Sequence, residues 1–389
     1  MNYFERLDSD DDFRHQAFPV TRKRIFLAHA AITVLPAVVE QAMHDFNHAY
    51  ATGDLDFTAV HLSEMDAVRE SAAQLIGASA NEIALLGPTS LGLNLVANGL
   101  DWQAGDEVVC YLDDYPANVY PWQHLQEQGV KVIYLQPEQA GEITPDLVAS
   151  VLTSRTKLVS LASCHFLTGY RIDIDTIGRL LHDHQVLFCL DAIQTCGAFP
   201  IPIEHVDFLC ADSHKWMLGP AAAGIFYVKE KHFPILRPTL HGAWNVKCPD
   251  FIAKTDIQYE PGGRRYEPGV LNFSGLLGMK AGLNLINDLG VENIAQRILS
   301  LKEQVVAGLE QRDCPILPPT NGATATGITT FFKQDNDWMR RCFRHLSKNQ
   351  IAVSLRNDRQ GQSHIRISHH FYNTSADFER LFACIDEVK

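Results

Sequence analysis

The chain has 389 residues, is 46% hydrophobic and carries a formal net charge of −13. That length buries a large core over two or three domains, and an acidic balance with no long basic run argues against nucleic-acid and anionic-membrane partners. No 18-residue apolar run occurs, which argues against a transmembrane helix. The nine cysteines include no C-x-x-C pair, which argues against a disulfide framework and a structural zinc site.

Along the chain, residues 1–20 read as an N-terminal arm. Its polar, acidic start lacks the basic-then-apolar layout of a secretory leader, so a cytoplasmic protein is expected. A Gly/Pro loop, Gly87-Pro88-Thr89-Ser90, precedes an apolar helix. Continuous apolar runs follow at 107–112, 130–135, 158–162, 186–190, 208–211 and 223–228. Unbroken rather than alternating hydrophobicity predicts strands buried on both faces. Helical stretches between them, at 120–128 and 174–182, predict an α/β fold with a mainly parallel sheet flanked by helices. Ligands in such sheets sit at the carboxyl ends of the strands.

Beyond Gly275 the pattern changes to two long helices, 276–288 and 291–312, parted by Gly290. After Pro315, Pro318 and Pro319 comes a smaller α+β unit with strands near 328–332, 351–355 and 365–368 and helices near 338–349 and from 376. The predicted boundaries are a large domain over 21–283 and a small C-terminal domain over 284–389. The pairs His182/His184 and His369-His370 have no ligand-like neighbours in sequence, so no metal site is expected.

Three places carry chemistry. In Ala211-Asp212-Ser213-His214-Lys215-Trp216, a lysine stands at a strand end beside Ser and His, and a Gly-Pro pair follows. A fixed, partly desolvated amine that can lose its proton suits a Schiff-base lysine; the alternative is a surface lysine in a turn. The strand 186–190 ends in Asp191, with Gln194 three residues on. A carboxylate there can keep the pyridine nitrogen of pyridoxal 5'-phosphate protonated and make the ring an electron sink; the alternative is a turn residue. Thr89 and Ser90 open a helix whose free amides and dipole suit a phosphate; the alternative is a simple N-cap.

These three pieces, in this order, resemble the class V aminotransferase family, which includes cysteine desulfurases, selenocysteine lyase, kynureninase and isopenicillin N epimerase. The likeness runs from about Ile25 to Lys389 and is strongest over 187–228, with its D-x-x-Q strand end and S-x-H-K-x-x-x-G-P turn. The resemblance implies an aspartate aminotransferase-like fold (type I) and bound pyridoxal 5'-phosphate. By position it makes Lys215 the Schiff-base lysine, Asp191 the partner of the ring nitrogen and Gln194 that of the ring hydroxyl. Thr89, Ser90, Ser213 and His214 would hold the phosphate. Tyr115 would stack on the ring, and Arg366 would clamp the substrate α-carboxylate with its planar fork. Packing in the core for Tyr115 and a structural ion pair for Arg366 are the alternatives. The segment around Gly269 resembles one that reaches the neighbouring subunit's phosphate, which implies a homodimer with shared sites. Val270 stands where members commonly have Thr, leaving only backbone contacts there, and Phe166 stands where the family has Asn.

A desulfurase of this family needs a reactive cysteine on the loop before the carboxylate-binding arginine. The loop here, Leu355 to His364, has none. The expected activity is therefore amino-acid chemistry through Lys215, an aminotransferase first. A β/γ-elimination lyase or an epimerase without a persulfide cysteine is the alternative. A non-catalytic, cofactor-binding regulatory protein is a further one.

Overall fold

The computed structural model describes residues 2–388. A seven-stranded sheet is built from β1 (Ile83–Leu86), β2 (Glu107–Tyr111), β3 (Lys131–Leu135), β4 (Thr156–Ala162), β5 (Leu187–Asp191), β6 (Phe208–Asp212) and β7 (Gly224–Val228). Their spatial order is β1-β7-β6-β5-β4-β2-β3. Only β7 runs against its neighbours, β6 and β1; the other pairings are parallel. The α/β expectation holds. The sequence reading overlooked β1, whose four residues Ile-Ala-Leu-Leu are too short for a period to show.

Helices cover both faces. A large apolar cluster including Leu85, Phe188, Leu190 and Met279 fills one side, and a second including Leu93, Trp122, Phe208 and Phe226 fills the other. α1 (Ala37–Thr52), α2 (Met65–Ile76) and α5 (Phe273–Leu289) pack together on the first side. α3 (Thr89–Gly99) lies on the second, and α4 (Ile174–Asp183) is capped by the Asp173 carboxylate, which accepts from Thr176 N at 3.0 Å.

After α6 (Val291–Glu310), a three-stranded antiparallel sheet forms from β8 (Ile328–Phe332), β9 (Ser354–Asn357) and β10 (Ser363–Ser368) in the order β9-β10-β8. α7 (Asn336–Lys348) and α8 (Ser375–Asp386) complete this unit around a third core that includes Phe331, Leu346 and Ile367. At the N-terminus, buried Arg14 pairs with Asp377 at 3.3 Å and ties the first helices to the start of α8. No helix among the described residues is long and apolar enough to cross a membrane.

The seam between the two sheets holds three fully buried histidines. His369 Nε2 donates to the Ile298 carbonyl at 2.8 Å, His370 Nε2 to the Trp216 carbonyl at 3.2 Å, and His29 Nε2 bonds the Tyr372 hydroxyl at 2.9 Å. Burial pushes His369 down to about 4, His370 to about 3 and His29 well below its ordinary value. His165, beside the site described below, is likewise held at about 4. Above pH 7 these rings are neutral in both folded and unfolded chains. Below about 6.5 the unfolded chain takes up protons that the native core refuses, so stability is lost as pH falls toward 4. The slope is up to about 1.4 kcal/mol per pH unit for each histidine. Buried Asp114 and Asp191, whose pKa values are raised, act in the opposite sense, two groups against four. The urea midpoint of the protein without cofactor should therefore fall steadily from pH 7.5 to 5. A constant midpoint over that range would show that these histidines are not buried neutral.

Candidate active site

The carboxyl ends of β1, β2, β4, β5 and β6 open on one cavity of about 410 Å³, closed from the other side by β9 and β10. That size lies within the usual range for a cofactor or small-molecule site. The sheet topology explains the convergence: each parallel strand ends on the same edge, and the chain turns there into a polar segment.

From β6 the chain enters the turn Ser213-His214-Lys215-Trp216-Met217-Leu218-Gly219-Pro220. The Gly219 amide donates to the Ser213 carbonyl at 2.9 Å, and the Ser213 hydroxyl donates to the Pro220 carbonyl at 2.8 Å. A Cβ at Gly219 would collide with Ser213 Oγ, so the turn requires glycine. It delivers the Lys215 amine into the cavity, 5.7 Å from the centre of the Tyr115 ring. Lys215 is 8% exposed. Burial lowers its pKa to about 8, against the opposing pull of Asp191 and with Arg366 adding to the fall.

Asp191 ends β5. Its carboxylate accepts from Asn118 Nδ2 at 2.8 Å and from the Ile193 amide at 2.9 Å. No ion pair reaches it among the described residues, and burial raises its pKa. A buried carboxylate without a cation fits a group that brings a pyridinium N–H. Gln194 also faces the cavity. Its amide donates one N–H to the Ala30 carbonyl at 3.0 Å and accepts from Trp216 Nε1 at 2.9 Å, which leaves one N–H for a ligand.

Thr89 and Ser90 line the cavity at the start of α3. The N-cap there is Pro88, which offers no side-chain cap. Thr89 Oγ1 accepts from the Asp212 amide at 2.9 Å, locking the helix start to the end of β6. His214 lies beside it, with Nδ1 3.1 Å from the Asp212 carboxylate. An uncapped helix N-terminus with two hydroxyls and an imidazole fits a phosphate.

Arg366, on β10, is 1% exposed. Its Nη1 donates to the Phe166 carbonyl, while Nε and Nη2 have no partner among the described residues. Burial and nearby Arg356 lower its pKa to about 9. A buried guanidinium with free N–H groups at a cavity wall fits a carboxylate ligand.

The cavity thus brings together Lys215, Asp191, Gln194, Thr89, Ser90, His214, Tyr115 and Arg366. It does not bring in Ser213, whose buried hydroxyl turns to Pro220 instead, nor Gly269, which lies outside it with open space around its Cα. Beside Gly269, Val270 is 67% exposed. Tyr115 is 53% exposed, so the core alternative for it is set aside. An ion pair for Arg366 is absent among the described residues, so that alternative goes too.

Four lining residues had escaped the sequence reading. Asn118 orients Asp191 from the segment after β2. Asp114, in the same segment, has its pKa raised to about 7, chiefly by burial and then by the Asp191 charge. Arg356 lies on the Arg366 face of the β9–β10 ladder, because Arg366 pairs with Ser354, two residues before Arg356. Cys164 follows β4. Its thiol bonds the His165 carbonyl at 3.6 Å, and burial pushes it up to about 12.

Comparison with known proteins agrees with this geometry. The sequence profile of "Aminotransferase class-V" matches residues 25–381. A probable cysteine desulfurase of Methanothermobacter thermautotrophicus is 26% identical over 95% of this chain and 96% of its own. An uncharacterised aminotransferase of Bacillus subtilis is 26% identical over 96% of each chain. The apo structure of a cysteine desulfurase from Thermococcus onnurineus superposes with a TM-score of 0.88 at 23% identity, covering 97% of this chain and 98% of that one, which places the fold. The chain belongs to the class V aminotransferase family, whose members are pyridoxal 5'-phosphate enzymes.

Proposed function

We propose that this enzyme is a lyase that cleaves a bond from Cβ to a heteroatom, carbon–sulfur first, in an amino acid. The observation that carries the amino-acid chemistry is the single cavity in which Lys215, the unpaired carboxylate of Asp191 and the half-free guanidinium of Arg366 meet. The aminotransferase reading favoured by the sequence gives way to its lyase alternative. A relative aligned over nearly the whole chain carries the name cysteine desulfurase, an activity that breaks a carbon–sulfur bond.

Pyridoxal phosphate, when bound, supplies the electron sink that makes the substrate's Cα proton acidic. Thr89, Ser90, His214 and the first amides of α3 hold the phosphate. Asp191, steadied by Asn118, keeps the proton on the ring nitrogen. Gln194 supports the ring hydroxyl and Tyr115 the ring face. Arg366 takes the α-carboxylate and so presents Cα to Lys215. The amine of Lys215, with its pKa lowered to about 8, removes the Cα proton. The Cβ–heteroatom electrons leave with the heteroatom, and Asp114, with a pKa near 7, is the acid at hand to protonate it. Water then converts the released unsaturated amine to keto acid and ammonium.

Persulfide chemistry is not part of this reading. The segment from Leu355 to His364 is the end of β9, a five-residue hairpin turn and the start of β10, and it contains no cysteine. Cys164 is the one cysteine lining the cavity among the described residues, and its thiol stays protonated at neutral pH. Cys164→Ala should keep kcat within about threefold, and native protein at pH 7.5 should resist iodoacetamide at this position. Fast alkylation of Cys164, or loss of turnover in the variant, would restore a sulfur relay.

A homodimer completes the assignment. Gly269 lies outside its own chain's cavity, and Val270, Phe251, Ile252 and Ile257 are apolar and at least 60% exposed on the same stretch of chain. Sedimentation at micromolar concentration should give twice the chain mass, and Val270→Asp should shift the equilibrium toward monomer. A monomeric wild-type protein with full activity would remove this part of the reading.

A further inference from the structure

Next to the cofactor cavity lies a second one of about 730 Å³ that shares Asp114, Pro116 and Phe166 with it. The two are thus neighbouring rooms with a common wall, and Phe166 stands in that wall. Its ring packs 5.9 Å from Tyr115 and 5.1 Å from His165, while its carbonyl receives Nη1 of Arg366. The residue that positions the carboxylate-binding arginine is therefore also the partition to the second room. A substrate carboxylate on Arg366 brings the rest of the molecule to this partition.

The roof of the second room is the hairpin turn between β9 and β10. Gly361 takes φ 82, the Gly361 amide donates to the Asp358 carbonyl at 3.1 Å, and the Gln362 amide donates to the Asp358 carboxylate at 2.9 Å. Arg359 ties the turn to the opposite wall through the Asp113 carboxylate and the Leu112 carbonyl, 3.2 Å away. Drawn down in this way, the turn encloses space instead of carrying a mobile arm toward the cofactor.

The lining chemistry selects the occupant. Arg359 and Asp113 neutralise each other. Tyr120, Gln123, His165, His364 and Asn357 add a phenol, amides and imidazoles, and burial lowers the pKa of both imidazoles. The remaining charged groups are acidic: Asp358, whose carboxylate accepts from the Gln362 amide at 2.9 Å, and Asp114, shared with the cofactor cavity. Such a surface hydrogen-bonds a polar group and gives a negative charge nothing to pair with.

We infer that the second cavity is the side-chain site of the substrate, and that the enzyme acts on amino acids with an extended side chain ending in a hydrogen-bonding group that carries no negative charge. This rests on the lyase reading of the adjoining cavity and extends it to substrate class.

The test uses the cofactor-loaded enzyme and a series of S-substituted L-cysteines: the free thiol, the S-methyl, the S-carbamoylmethyl and the S-carboxymethyl compounds. Two quantities are read for each, kcat/KM for keto-acid release and Kd from the change in the visible cofactor spectrum. The S-carbamoylmethyl compound should exceed S-methyl by at least about tenfold in both, and S-carboxymethyl should not. Ala140 and Leu317 line the second cavity and not the cofactor cavity. Ala140→Trp and Leu317→Trp, made separately so that one folding failure does not end the test, should abolish that tenfold preference and leave S-methyl within about twofold. Spectral binding of all four compounds with no preference, or a preference that both tryptophans leave intact, would overturn the side-chain site while keeping the lyase. No spectral response to any amino acid would overturn both.

Discussion

Lys215→Ala is expected to lose at least about 10³-fold in kcat, because one amine both anchors the cofactor and moves the Cα proton, and proton transfer alone contributes about 10²–10⁴-fold. The loss should appear without unfolding. Lys215 is buried, its pKa is lowered by that burial, and no ion pair holds its amine among the described residues. Removing it relieves the native state of an imperfectly compensated cation, so the melting temperature should stay level or rise. The variant should also lose the visible band of the cofactor–lysine linkage. Full activity with the band retained would assign the linkage to another group.

Arg366→Ala should cut kcat/KM for amino acids by at least about 30-fold. Removing one partner of a buried, hydrogen-bonded charge pair costs about 2–5 kcal/mol, and each 1.4 kcal/mol is tenfold. Most of the loss should fall in KM. Wild-type enzyme should prefer amino acids to their amides strongly, and the variant should not. A guanidinium that is 1% exposed with two nitrogens unpartnered is not there for stability, so the variant should melt no lower than wild type. An unchanged amide-to-acid preference would take the carboxylate away from Arg366 and leave Arg356, which faces the same cavity, to bind it.

The sequence made the frame legible because buried parallel strands announce themselves as unbroken apolar runs, and their ligand-facing ends are the first polar residues after each run. Asp191 and Lys215 were found that way, and Thr89 and Ser90 through the Gly-Pro loop before a helix. What escaped was whatever depends on how separate segments meet. Asn118 is apparent only when the loop after β2 is seen to reach across to β5. Arg356 needs the register of β9 against β10, which two short, polar strands do not advertise. Asp114 looks like any loop acid until its burial is known. Ser213 sits in the right motif, but its hydroxyl closes the turn on Pro220 rather than facing the cavity. Gly269 lies outside the cavity of its own chain, and only the dimer proposed above would bring it to a site.

The most direct measurement is the visible spectrum of the purified, cofactor-loaded protein, followed while S-substituted L-cysteines are added without any keto-acid acceptor. A lyase built on Lys215 shows the lysine–cofactor band at the start and keeps it while keto acid and ammonia accumulate over many turnovers. A band that bleaches once, with a single equivalent of keto acid and no ammonia, would contradict elimination and return the enzyme to transamination.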